Sequence, residues 1–207
     1  MAMTYDMTPI GFLGAGPFAV GLARKVVAAG RPVVLSNSRG PQTLGEVTSS
    51  LGPLASAATF AEVAAMPMVV LSVPWLVAPD LLKTLPRWDN RILIDVTNHY
   101  RTYSPPTWVD IGDRIGTEMI AAEAPGARFV RAFNTLRTDQ LDMLPAEGAG
   151  KRVIFISGDD EEANAIVRDL AIQIDFAPIM MGALKEARLH QLGGPLMEVP
   201  FTLLEWT

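Results

Sequence analysis

A short apolar run from Ile10 to Leu13 breaks into Gly14-Ala15-Gly16-Pro17-Phe18-Ala19 and continues as a helix-compatible stretch to Gly30. Strand, glycine turn and helix start, in that order, form a unit that cradles the pyrophosphate of a dinucleotide. Gly14 permits the tight turn. Gly16 carries no Cβ, so the backbone can approach phosphate oxygens. Ala19 is small enough to let the helix pack on the strand. The N–H groups at the helix start and the positive end of its dipole then face the anion. A bare GxGxxA pattern arises by chance in chains rich in glycine and alanine. This one follows a strand, opens a helix and stands at the head of the domain, which gives it weight.

The rest of the chain repeats the alternation. Strands are predicted at Pro9–Leu13, Pro32–Ser36, Met68–Val73, Arg91–Thr97, Arg128–Phe133 and Val153–Ser157. Helices are predicted at Ala19–Ala29, Thr43–Leu51, Thr59–Ala65, Val77–Leu85, Thr117–Ala124 and Asp160–Ala171. Runs such as Met68-Val69-Val70-Leu71 are apolar without alternation, as expected of parallel strands buried on both faces. The expected class is α/β: a doubly wound parallel sheet, the Rossmann NAD(P)-binding fold, with a short C-terminal helical or loop segment.

With 207 residues the chain suits one domain and a small appendage, divided here as 1–178 and 179–207. Two segments resist the pattern. Asn98–Gly116 carries Tyr100, Tyr103, Pro105, Pro106 and Trp108 with no clean period, and is read as a long loop leaving the fourth strand at the edge where ligands bind. Ile179–Thr207 is read as closing over the site, forming a dimer contact, or both.

Net charge is −5 with no basic run, which argues against nucleic acid or an anionic membrane as partner. Cysteine is absent and there are two histidines, His99 and His190, so no metal site is expected. The uncharged stretch Ile10–Ala23 lacks the basic flank of a signal peptide and is too short and glycine-rich to span a bilayer. A cytoplasmic protein is expected.

An NAD-preferring unit carries Asp or Glu at the tip of its second strand, about 20 residues beyond the glycines. Here that tip reads Leu35-Ser36-Asn37-Ser38-Arg39-Gly40. A carboxylate would repel a 2′-phosphate, whereas Asn37 and Ser38 can bond its oxygens and the Arg39 fork matches it. NADP(H) is therefore the expected cofactor. The alternative is a solvated Arg39 beside residues that only make the turn.

Further stretches carry a family resemblance. They are Gly14–Ala19; Ser36–Arg39 with Gly40-Pro41; Val69-Val70-Leu71-Ser72-Val73-Pro74-Trp75; Ile94-Asp95-Val96-Thr97-Asn98; and Pro125 to Thr135, which ends Arg131-Ala132-Phe133-Asn134-Thr135. On these, from about Ile10 to Gly194, the chain resembles the NADPH-dependent reductases of the deazaflavin coenzyme F420 and the small NADP oxidoreductases around them. The resemblance implies that Ser38 and Arg39 hold the 2′-phosphate. It implies that the backbone of Val73, Pro74 and Trp75 lies along the nicotinamide ribose. Phe133, Asn134 and Thr135 would line the floor where nicotinamide and hydride acceptor meet, and Asn98 and Ala132 complete the implied cofactor set. Two departures concern the acceptor. Members of that family can carry histidine where Asn134 stands, and a shorter glycine-rich segment is expected in place of 98–116.

The implied activity is hydride transfer between NADPH and a deazaflavin or flavin-like acceptor, which needs alignment more than a protein acid. Reduction of a small carbonyl or imine is the second reading. It requires a proton donor, for which Asp95, His99, Tyr100, Lys185 and His190 are weakly placed, and related enzymes usually add a large helical domain. A non-catalytic NADP-binding sensor is the third. A small-molecule acceptor and a homodimer are the expected partners, the latter from the apolar tail Pro195–Thr207.

Overall fold

The computed structural model describes residues 8–142, 150–197, 199 and 201–203. Six strands form a parallel sheet in the order β3 (Ala55–Ala57), β2 (Val33–Ser36), β1 (Ile10–Leu13), β4 (Met68–Leu71), β5 (Ile92–Asp95) and β8 (Arg128–Arg131). β1, β4 and β5 are buried along their whole length, which accounts for their uninterrupted apolar sequence.

Alternate residues feed two cores. Ile10, Phe12, Val70 and Ile94 pack under α1 (Pro17–Ala28), α2 (Gly45–Leu51) and α7 (Glu161–Gln173). Leu13, Val69, Leu71 and Leu93 pack under α3 (Phe60–Ala64), α4 (Ala78–Thr84) and α5 (Gly116–Ala121). Each large aliphatic side chain so buried contributes about 1.5–3 kcal/mol of transfer free energy.

Beyond β8 the sheet departs from the expected pattern. β9 (Lys151–Gly158) runs antiparallel to β8, β10 (Phe176–Gly182) runs parallel to β9, and β11 (Thr202–Leu203) pairs antiparallel with the start of β9. Between β8 and β9 the described residues form α6 (Thr138–Asp142), and β9 enters from the carboxyl side. Its last residues pair with the last of β8 (Ser157 with Arg131, Gly158 with Val130), so the rest of β9 overhangs the carboxyl edge.

Three readings of the sequence are corrected. β3 is a three-residue edge strand of small residues, too short to announce itself. β10 crosses the expected boundary at 178/179, hidden by Pro178 and Gly182, so the sheet extends to Gly182 before the turn Leu184–Leu189. The supposed loop 98–116 contains a separate hairpin, β6 (Tyr100–Tyr103) and β7 (Pro106–Trp108), in which Thr102 Oγ1 lies 2.7 Å from Thr107 Oγ1. Its polar faces and paired prolines obscure the strand signal. The tail expected to help cover the site lies partly outside the described residues. Among those described, no helix is long and apolar enough to cross a membrane.

Candidate functional site

The glycine turn is built by two different necessities. Gly14 has φ of +111°, and a Cβ there would stand 2.2 Å from the Ser72 carbonyl oxygen, so both conformation and the neighbouring strand exit demand glycine. Gly16 has an ordinary φ of −73°, and beyond its chain neighbours no atom of the described residues lies within 4 Å of where its Cβ would be. The described residues therefore give no packing reason for glycine at 16. A ligand approaching the backbone closely does.

The helix behind it agrees. α3 is closed by a Thr59–Glu62 capping box and α7 by Asp160, but α1 has no side-chain cap. Its first-turn N–H groups face the open space over Gly16. Ala19 is fully buried against the sheet, while Pro17 and Phe18 line the adjoining cavity. Of the predicted cradle Gly14–Ala19, Gly16, Pro17 and Phe18 line the cavity, while Gly14 and Ala19 are buried and support the turn from behind.

At the tip of β2 the residues divide. Ser36 is buried and donates to the Phe12 carbonyl at 2.7 Å. Asn37 Oδ1 accepts from the Arg39 N–H and its Nδ2 donates to Thr43 Oγ1, both at 2.9 Å, so its amide is spent on the turn. Ser38 and Arg39 are exposed, and no described residue engages the Arg39 guanidinium. A free planar cation beside a hydroxyl, with no carboxylate at the tip, suits a 2′-phosphate.

A cavity of about 800 Å³ opens along the carboxyl edge. Its walls are Gly16–Phe18, Ser72–Pro74 after β4, Val96–Asn98 after β5, and Tyr100, Tyr103 and Pro106 of the hairpin. Asn134, Leu136–Thr138 and Met197 complete it. Arg137 is the one charged residue of that lining among the described residues, and Asp139 holds its guanidinium. Among the described residues no carboxylate or imidazole lines the cavity.

Several predicted residues sit elsewhere. The Trp75 ring is buried in the second core, edge-on to His99 at 6.1 Å. Ala132 and Thr135 are buried and do not line the cavity. Phe133 is core rather than floor: its ring packs edge-on against Phe176 at 5.9 Å. Its φ of +61° is unusual for a bulky residue, and it turns the chain so that Asn134 reaches the cavity. Among the acid–base candidates only Tyr100 lines the cavity, and Lys185 is exposed on the turn after β10.

Beneath the floor lies a buried polar network. Arg131 on β8 donates to Asp95 Oδ2 on β5 at 2.6 Å, to the Thr97 carbonyl, and to Asn98 Oδ1 at 2.9 Å. Thr117 Oγ1 donates to Asp95 Oδ2 at 2.8 Å, and the Thr97 N–H and hydroxyl donate to Oδ1. Asn98 Nδ2 donates to the Asn134 carbonyl at 2.8 Å. Asn134 in turn pairs with His190, which contacts Ser157. Burial lowers the pKa of Arg131, opposed by Asp95. Burial, and then the Arg131 charge, pushes His190 down to about 3 and also lowers His99, so His190 is neutral at pH 7.

Sequence reasoning missed Arg131, Tyr103, Leu136, Arg137, Thr138 and Met197. Arg131 left a signal: a cation in a buried strand, with Asp95 in its neighbour, is tolerated only as a pair. The others face the cavity through turns that no local period reports.

Residues 9–99 match the family described as NADP oxidoreductase, coenzyme F420-dependent. The metalloreductase STEAP3 of Rattus norvegicus is 31% identical over 182 residues, 86% of this chain and 35% of that protein. The chain thus spans about a third of the length of the curated relatives it matches. A hypothetical protein of Sinorhizobium meliloti has a solved structure that superposes with a TM-score of 0.87 at 33% identity, over 98% of both chains. A protein of Arthrobacter sp. FB24, described as an F420-dependent NADP reductase, superposes with a TM-score of 0.69 at 23% identity over 87% of both chains. That last likeness is one of fold.

Proposed function

We propose that the chain, whose residues 9–99 match the family of coenzyme F420-dependent NADP oxidoreductases, binds NADP(H) along the carboxyl edge and transfers a hydride to a conjugated, flavin-like or deazaflavin acceptor in the cavity. The observation that carries the cofactor assignment is Gly16, a glycine that neither backbone nor packing requires, over the uncapped start of α1. The pyrophosphate lies on Gly14–Ala19, the 2′-phosphate against Ser38 and Arg39, and the nicotinamide half in the cavity. When bound, NADPH supplies a hydride, two electrons with one proton, from its nicotinamide ring.

The chain's own residues shape where that hydride goes. Val73, Pro74, Val96 and Leu136 give the cavity apolar walls that exclude water. Tyr100 and Tyr103 bring two aromatic rings, 5.3 Å apart, to the cavity wall, a surface suited to a conjugated ring. Among the described residues the lining carries no imidazole or carboxylate, which supports an acceptor that delocalises the added charge over a carbonyl or imine, whose reduction needs a placed proton donor. A homodimer is part of this reading, supported by the exposed apolar side chains Ile179, Met180, Phe201 and Leu203 on β10 and near β11. Light scattering at micromolar concentration tests it, and a monomer refutes it.

Calorimetry with NADPH and NADH, followed by loss of deazaflavin absorbance on mixing with NADPH, tests the whole. Tight NADPH binding with bleaching is expected. Absence of heat with either coenzyme refutes the cofactor assignment. Binding without bleaching of deazaflavin or flavin refutes the acceptor assignment.

A further inference from the structure

Resting on the assignment of the cavity to the nicotinamide half of NADP(H), we propose that His190 is a positioning residue for that half, setting the direction of Asn134 and fastening the chain that leads to Met197. The hydrogen bonds allow one arrangement. Asn134 Nδ2 donates to the His190 carbonyl, which fixes the amide's orientation. Its Oδ1 then faces His190 Nδ1 at 3.0 Å, so Nδ1 carries the proton. His190 Nε2 is left as an acceptor, and the Ser157 hydroxyl donates to it at 2.8 Å. All three side chains are buried.

Serine, histidine and asparagine in this order repeat the hydrogen-bond sequence of a nucleophilic triad. Ser157 is nevertheless sealed from solvent and lines neither the large cavity nor the smaller cleft beside His99. An inaccessible hydroxyl attacks nothing, so the constellation holds parts in place. One part is Asn134, whose amide is turned inward and whose carbonyl is held by Asn98. The other is the turn after His190. Gly194 N–H donates to Gln191, Leu196 to Leu189 and Met197 to Gly194, and this brings Met197 to the cavity wall. Floor and wall of one half of the cavity thus meet at one imidazole, whose hydrogen bonds go to Ser157 and Asn134 and not to Gly14–Ala19 or Arg39.

Calorimetry compares NADP⁺ with adenosine 2′,5′-bisphosphate, which lacks the nicotinamide end, on the wild type, His190→Ala and His190→Gln. His190→Ala is expected to weaken NADP⁺ about tenfold, the equivalent of one net hydrogen bond, and to leave the bisphosphate within about twofold. His190→Gln keeps one donor and one acceptor and recovers most of the loss. Ser157→Ala, a smaller cut in the same network, weakens NADP⁺ about threefold and carries the test where His190→Ala does not fold. Long-range ¹H–¹⁵N correlations are expected to show the Nδ1–H form at pH 7. Equal loss for both nucleotides, no loss for either, or the Nε2–H form overturns the proposal. A wild type that binds neither nucleotide overturns the cofactor assignment instead, and the positioning role with it.

Discussion

Asp95→Asn keeps the shape of a side chain and removes its charge. It leaves the Arg131 guanidinium, 2% exposed, without a counter-ion among the described residues. The Thr97 carbonyl and Asn98 Oδ1 still accept from Arg131, but they are dipoles rather than a charge. The new amide also turns a donor toward Arg131 or Thr117, where Asp95 Oδ2 accepted from both. Stranding one partner of a buried ion pair costs about 3–5 kcal/mol. Set against a total stability of about 5–15 kcal/mol, that is about a fifth or more of what holds a domain together. The companion change Arg131→Met removes the cation, so Asp95→Asn with Arg131→Met is expected to be more stable than the sum of the two single losses predicts, by at least about 2 kcal/mol. Urea unfolding at pH 7, followed by the fluorescence of the buried Trp75 and Trp88, measures all four corners of the cycle. A single-mutant loss below about 1 kcal/mol, or losses that simply add, would refute the claim that Asp95 neutralises Arg131.

The pH dependence of stability follows from His190. Its folded pKa of about 3 lies below the unfolded value of about 6.5, so between them the unfolded chain binds a proton that the native state refuses. Stability is complete above pH 6.5 and falls by about 1.4 kcal/mol per unit as pH drops, or about 3 kcal/mol by pH 4.5. His190→Gln should flatten that slope, and an unchanged slope argues against a buried neutral imidazole. Asp160, held down to about 2 chiefly by its hydrogen bond from Arg128, adds its own loss only below about pH 4. Arg39→Ala should weaken NADPH by about 10- to 100-fold, the worth of a charge-assisted contact, and leave NADH unchanged; equal effects on both coenzymes would remove Arg39 from the 2′-phosphate site. Gly14→Ala and Gly16→Ala should separate cleanly by calorimetry and thermal unfolding. The first is strained at φ of +111° and loses about 2 kcal/mol or more of stability, while the second stays within about 0.5 kcal/mol of the wild type and loses nucleotide affinity at least tenfold. A Gly16→Ala protein that binds NADPH normally would deprive the cradle of its main support.

The two halves of the site were unequally legible for a physical reason. Whatever serves the nucleotide's phosphates is written in consecutive residues. Gly14, Gly16 and Ala19 act through local conformation, helix geometry and the absence of side-chain bulk, and Ser36–Gly40 through a turn whose acceptor, Asn37, and donor, Arg39, are two residues apart. Such features survive in a string of letters because their causes are short-range. The half that would meet the acceptor is assembled across the chain. Asn134 reaches His190 over 56 positions, and Arg131 reaches Asp95 over 36. Phe133 shows the limit of reading a motif residue by residue. Its membership of Ala132-Phe133-Asn134-Thr135 pointed to the cavity, yet strand alternation and a left-handed turn send the ring to Phe176 and leave Asn134 on the floor. The same turn explains why the network exists. With a left-handed residue just beyond β8 and β9 returning antiparallel beside it, β9 overhangs the carboxyl edge, and its last polar residue, Ser157, arrives beside Arg131. The imidazole of His190, buried where that overhang meets the floor, then has to be satisfied on both ring nitrogens, and Ser157 and Asn134 are the groups that the topology delivers.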